Sequence, residues 1–115
     1  MDDDNDTKTD MGMPEGLDAK GQAAYRAIMK VLSASGSTRT GGCKAFYAPE
    51  EWAAKGERYG LKSKLVVVYD GGDHRPYFTL DSECYDLVEK MQAALKEHGM
   101  FFEEAMTWYG AVYLA

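Results

Sequence analysis

The run Leu65-Val66-Val67-Val68-Tyr69 constrains this chain more than any other stretch of it. Five consecutive apolar residues, three of them β-branched, favour extended backbone. With no polar residue alternating among them, they predict a strand over Lys64–Asp70 buried on both faces. Asp70-Gly71-Gly72-Asp73 follows as strong turn chemistry. A hairpin is therefore expected, with a second strand from about Arg75 to Leu80. That strand enters at an edge, because Pro76 cannot donate to a ladder.

Three stretches read as helices. Asp18 can cap a first one running to about Ser35, where Tyr25, Ile28, Met29 and Leu32 repeat at the spacing of one buried face and Gly36 supplies a stop. Pro49 suits the first turn of a second helix over about Pro49–Tyr59, anchored by Trp52, weakened by Gly56 and ended by Gly60. Asp81 or Ser82 can cap a third, with Leu87, Val88, Met91, Ala94 and Leu95 as its apolar stripe and Gly99 after it. Cys43–Tyr47 reads as a short strand, and Met100–Glu104 and Met106–Leu114 as two more; their junction lacks Gly-Asn turn chemistry, so a bulge or a single bent strand is the alternative.

Helix, strand, helix, hairpin, helix, hairpin is an α+β layout. The expected fold is two-layered: a mostly antiparallel sheet of four to five strands, covered on one face by two to three helices. The chain has 115 residues, the size of one domain. No apolar run approaches the ~18 residues of a membrane span.

Charge is unevenly placed. Met1–Asp10 carries five aspartates and one lysine. Removing it from totals of 19 acidic and 13 basic side chains leaves 14 and 12. The expectation is a disordered acidic tail over residues 1–16 and a nearly neutral domain over 17–115. The Met-Asp-Asp-Asp start has neither the basic end nor the apolar run of a secretory signal, so a cytoplasmic location is expected. Cys43 and Cys84 lack metal-ligand spacing and read as reduced thiols. The basic residues are scattered, without a run or an RNA-binding aromatic motif, so no direct nucleic-acid contact is expected.

Chemistry has few places to sit. Asp70, Asp73 and His74 share one turn with Arg75; carboxylates and an imidazole could hold a divalent ion or act as acid and base, although the spacing of a calcium loop is missing. Cys84, near a helix start, has a thiol favoured toward thiolate but no oriented base. Ser37–Lys44 is a cationic, glycine-rich loop without the P-loop pattern. His98 at a helix end is explained by the helix dipole. No metal, cofactor or catalytic residue is expected.

The chain carries fourteen aromatic residues. Alternation along the last strand puts Thr107, Tyr109, Ala111 and Tyr113 on one face. A sheet face bearing Tyr109 and Tyr113 suits protein recognition, because tyrosine gives large contact area at low entropy cost. Glu50, Glu51, Glu57, Glu103 and Glu104 can add a negative patch. The expected function is a non-catalytic interaction or regulatory domain. It would meet a protein partner through this face or a free sheet edge, in its sharpest form as an inhibitor of a basic nucleic-acid-processing enzyme of phage or mobile-element type. The alternative is a small-ligand or metal-binding domain or small enzyme using Asp70, Asp73 and His74. Homodimerisation through the terminal strand is a third possibility.

Overall fold

The computed structural model describes residues 11–40, 42 and 44–115. Among them are three α-helices, α1 (Ala19–Ser35), α2 (Pro49–Ala54) and α3 (Tyr85–Lys96). Four strands, β1 (Phe46–Tyr47), β2 (Leu65–Val68), β3 (Met100–Met106) and β4 (Tyr109–Leu114), form one antiparallel sheet in the order β1-β2-β4-β3. The expected α+β class, with its antiparallel sheet and covering helices, is the fold observed.

Local signals set α1. The Asp18 carboxylate accepts the Gly21 amide at 2.8 Å, and Gly36 ends the helix at φ 73°. Ala24, Ala27, Ile28 and Leu32 are its buried face; Tyr25 and Met29 are half-buried beside them. α1 and α3 cover one side of the sheet, burying Leu65, Val67, Phe46, Phe102 and Val112 against Ile28, Leu32, Met91 and Leu95. We call this the inner face. Burial in these four β2 residues is complete on both sides, as an unbroken apolar run requires.

α2 lies on the opposite, outer face. Its Trp52 covers Val66, Val68, Tyr109 and Ala111. The helix ends at Ala54, five residues short of the expected Tyr59, with Lys55 as its cap and Gly56 following at φ 84°.

The hairpin expected after β2 does not form. Both flanks of β2 are taken, by β1 and by β4. Arg75–Tyr77 and Leu80–Ser82 are short 3-10 turns instead. Tyr77 and Phe78 are neighbours in sequence and both are buried. A strand would send them to opposite faces; a tight helical turn can bury both. Phe78 inserts between Tyr69 and Phe102, with ring centroids 5.7 and 4.8 Å away. The cap of α3 also moves. Asp81 and Ser82 belong to the second 3-10 turn, Glu83 adopts φ 57°, and α3 begins after Cys84 without a side-chain cap.

β3 and β4 pair as a hairpin, but its turn is at Thr107-Trp108 and not near residue 105, so Met106 belongs to β3 and the irregularity between Glu104 and Met106 is a bulge within the pairing. At Gly110 the strands pass so closely that a Cβ would meet the Phe102 ring and, at 2.5 Å, the Glu103 carbonyl. Ordered packing begins earlier than the expected boundary at residue 17. Met11 is buried in the core, and its carbonyl accepts the Tyr25 hydroxyl at 2.7 Å. The rest of the expected tail, residues 1–10, lies outside the described residues.

Candidate functional site

The residues expected to bind separate into three environments. Tyr109 is only 1 % exposed, so it does not present its ring on the surface. Trp52, Trp108 and Tyr109 pack together with centroid distances of 4.9, 6.0 and 4.5 Å. The Trp52 indole N–H is buried without a hydrogen-bond partner. Burial raises the Tyr109 pKa above its usual value, and Trp52 opposes part of that shift. The alternation placing Tyr109 and Tyr113 on one face holds. What the sequence could not supply is the α2 cover over one half of that face.

The uncovered half holds Tyr113 and Glu103. Phe101 on β3 pairs with Tyr113 on β4, their rings 5.8 Å apart. Phe101 is 38 % exposed and Tyr113 half-buried. Burial raises the Tyr113 phenol pKa, the Glu103 carboxylate raises it further, and the Gly60 backbone amide opposes both. The segment carrying Gly60 crosses Val66 and Ala111 and leaves Tyr59 and Leu61 exposed on either side of it. Phe101, Tyr59 and Leu61 were not picked out from the sequence. Phe101 had a readable signal, since alternation in Phe101-Phe102-Glu103 sends Phe101 and Glu103 to the side opposite buried Phe102.

The Asp70–His74 turn lies beyond the other end of β4. Tyr109 at that end and Tyr113 are four residues apart, roughly 13 Å along a strand. Asp70 lines an open groove of about 700 Å³ with Gly71, Arg75, Thr107 and Trp108. Asp73 is exposed, and its amide donates to the Arg39 carbonyl at 2.8 Å. His74 turns the other way. It is 1 % exposed, and its Nε2 lies 2.7 Å from the Val68 carbonyl, so the proton sits on Nε2 and is donated. Nδ1 is buried without a hydrogen-bond partner. Burial lowers the imidazole pKa; the Val68 carbonyl and Asp73 oppose the shift. Asp70, Asp73 and His74 therefore do not converge on one point. No cluster of three or more His, Cys, Asp or Glu side chains suited to a metal is found among the described residues.

The other candidates are structural in their contacts. The Cys84 thiol, half-buried, donates to the Ser82 carbonyl at 3.4 Å. In the glycine-rich loop, Lys44 pairs with Glu51 at 2.6 Å; Cys43 lies outside the described residues. No helix among those described is long and apolar enough to cross a membrane.

Both sheet edges are blunted. β1 has two residues. On the other edge, the Val112 carbonyl accepts from Lys64, so Val112 faces β2 and its β3 partner Phe102 points its N–H and C=O outward. Gln92 of α3 occupies both. Its Nε2 donates to the Phe102 carbonyl at 2.7 Å and its Oε1 accepts the Phe102 amide at 2.9 Å. A side-chain amide thus stands where a fifth strand would pair. No family model matches this chain, and no curated protein or solved structure matches it.

Proposed function

We propose that this chain is a non-catalytic interaction domain that docks a protein partner on the uncovered half of the outer sheet face. The observation carrying this reading is the Phe101–Tyr113 pair, bordered by exposed Tyr59 and Leu61 and by Glu103. Rigid aromatic groups at a polar border are what protein interfaces favour at their centres. The blunted edges favour this face over strand addition. Exposed Glu103 at the border of the pair matches a partner whose contact surface is apolar at its centre and basic at its rim. Inhibition of a basic nucleic-acid-processing enzyme is one function of that kind. The alternative use of Asp70, Asp73 and His74 loses support from the inward turn of His74.

Affinity capture with wild-type chain and with Phe101→Ala, Tyr113→Ala and Glu103→Lys variants tests the proposal. Partners held by the wild type should fall away from all three variants, and the captured amount should drop as salt rises. Equal recovery on every variant would overturn the proposed face.

A further inference from the structure

We propose a second docking surface on the far side of the molecule: the groove between α1 and α3 receives an amphipathic helix of a partner protein, its apolar edge flanked by carboxylates. The two helices run antiparallel, with Lys20 near the start of α1 donating to the His98 carbonyl after α3 at 3.2 Å. Between them lies a half-open groove of about 420 Å³. Ala27, Val31 and Ala34 form one wall, and Ala93 and Ala94 the other.

The walls select the occupant. Sites for small molecules are enclosed by large apolar and aromatic side chains, and this half-open groove is lined by no Phe, Tyr, Trp, Leu, Ile or Met. Methyl-sized walls do something different. They let another helix approach to the short end of the usual ~8–10 Å interaxial range. A third helix laid on α1 and α3 extends the packing these two already use.

The rim selects the charge. Lys30 from α1 and Lys90 from α3 both line the groove, and neither has an ion-pair partner among the described residues. Against the single carboxylate of Glu97, the two lysines leave the lining with an excess of one positive charge, which carboxylates on an incoming helix complement. Within Ala19–Ser35 the chain has Lys20, Arg26 and Lys30 and no Asp or Glu, although the whole carries a net charge of −6. Glu97 and His98 close the far end of the groove. This surface is separate from the Phe101–Tyr113 face and does not rest on the reading given for it.

The experiment uses the full chain and three labelled probes: a helical peptide of about 18 residues with a Leu/Ala edge flanked by Glu, the same peptide with Lys for Glu, and dodecanoate. Fluorescence anisotropy should show the Glu-flanked peptide binding at least about tenfold tighter than the Lys-flanked one. The double variant Lys30→Glu, Lys90→Glu should reverse that preference. Ala93→Tyr, which fills the groove without altering charge, should abolish binding. Tyr113→Ala should leave the peptide affinity unchanged, which separates this surface from the outer face. Circular dichroism establishes that each variant is folded. Equal affinity for the two peptides, or binding that survives Ala93→Tyr, overturns the proposal. So does dodecanoate bound with the peptides silent, which would make the groove a site for a small amphipathic anion. Self-association abolished by the same substitutions would assign the groove to a second copy of this chain and overturn it as well.

Discussion

The two faces of the sheet come from the same strands and are finished differently. The inner face is sealed by two long helices and filled with aliphatic groups and the Tyr69–Phe78–Phe102 stack. The outer face is half sealed, by a six-residue helix whose cover depends on Trp52, and open where Phe101 and Tyr113 lie. Full cover gives stability and leaves little to recognise. Partial cover leaves aromatic surface in water, which is tolerable in small patches and useful to a partner.

This contrast can be broken at several points. The largest effect is expected at the outer cover. Trp52→Ala should lower unfolding free energy by about 3–5 kcal/mol, measured by urea denaturation. A loss below about 1 kcal/mol would mean that α2 is an appendage, with no second core beneath it. Gly110→Ala comes next. Its methyl would strike the Phe102 ring on the inner side and the Glu103 backbone, so a loss of about 1–3 kcal/mol is expected.

Gln92→Ala should cost a similar or smaller amount, about 1–2 kcal/mol, by leaving the Phe102 amide and carbonyl without partners. Its clearer sign would be concentration-dependent self-association by light scattering, as β3 becomes a pairing edge. A variant that stays monomeric would show that other features guard this edge.

His74 adds a pH dependence belonging to the sealed side. Burial holds its folded pKa below the value near 6.5 of the unfolded chain, so the unfolded state takes up the proton first as pH falls. The contribution is fully present above about pH 6.5 and is lost as pH falls toward the depressed folded value. Urea midpoints should drop over that window, and His74→Gln should flatten the drop. The smallest change in stability, within about 1 kcal/mol, is expected for Tyr113→Ala. Its loss of partner binding should nevertheless be the greater effect on function.

Much of the fold was legible in local patterns. Asp18, Gly36 and the stripe ending in Leu32 place α1, because a cap, a left-handed stop and an i, i+4 face involve residues within a few positions of one another. The same holds for the α3 stripe and the β3–β4 pairing. The candidate site was legible in part. Alternation assigned Tyr113 and Glu103 to one face, but it could not tell which part of that face α2 would cover, and Tyr109 fell beneath Trp52. The burial of His74 was not legible for a related reason: Asp and Gly around it mark a turn, and turn residues usually face water.

By itself the sequence determined the two long helices and that Leu65–Tyr69 must be enclosed. Only the tertiary structure decided that β1 and β4, the latter some forty residues on, would take both flanks of β2 and leave none for the expected Arg75–Leu80 strand, that Tyr77 and Phe78 would plug the inner core as a turn, and that α2 would lie on the other side. The physical reason is that an apolar side chain is stabilised by burial wherever it is buried. Hydrophobic pattern therefore fixes which residues go inside and leaves their neighbours to the competition among distant segments for the same sheet.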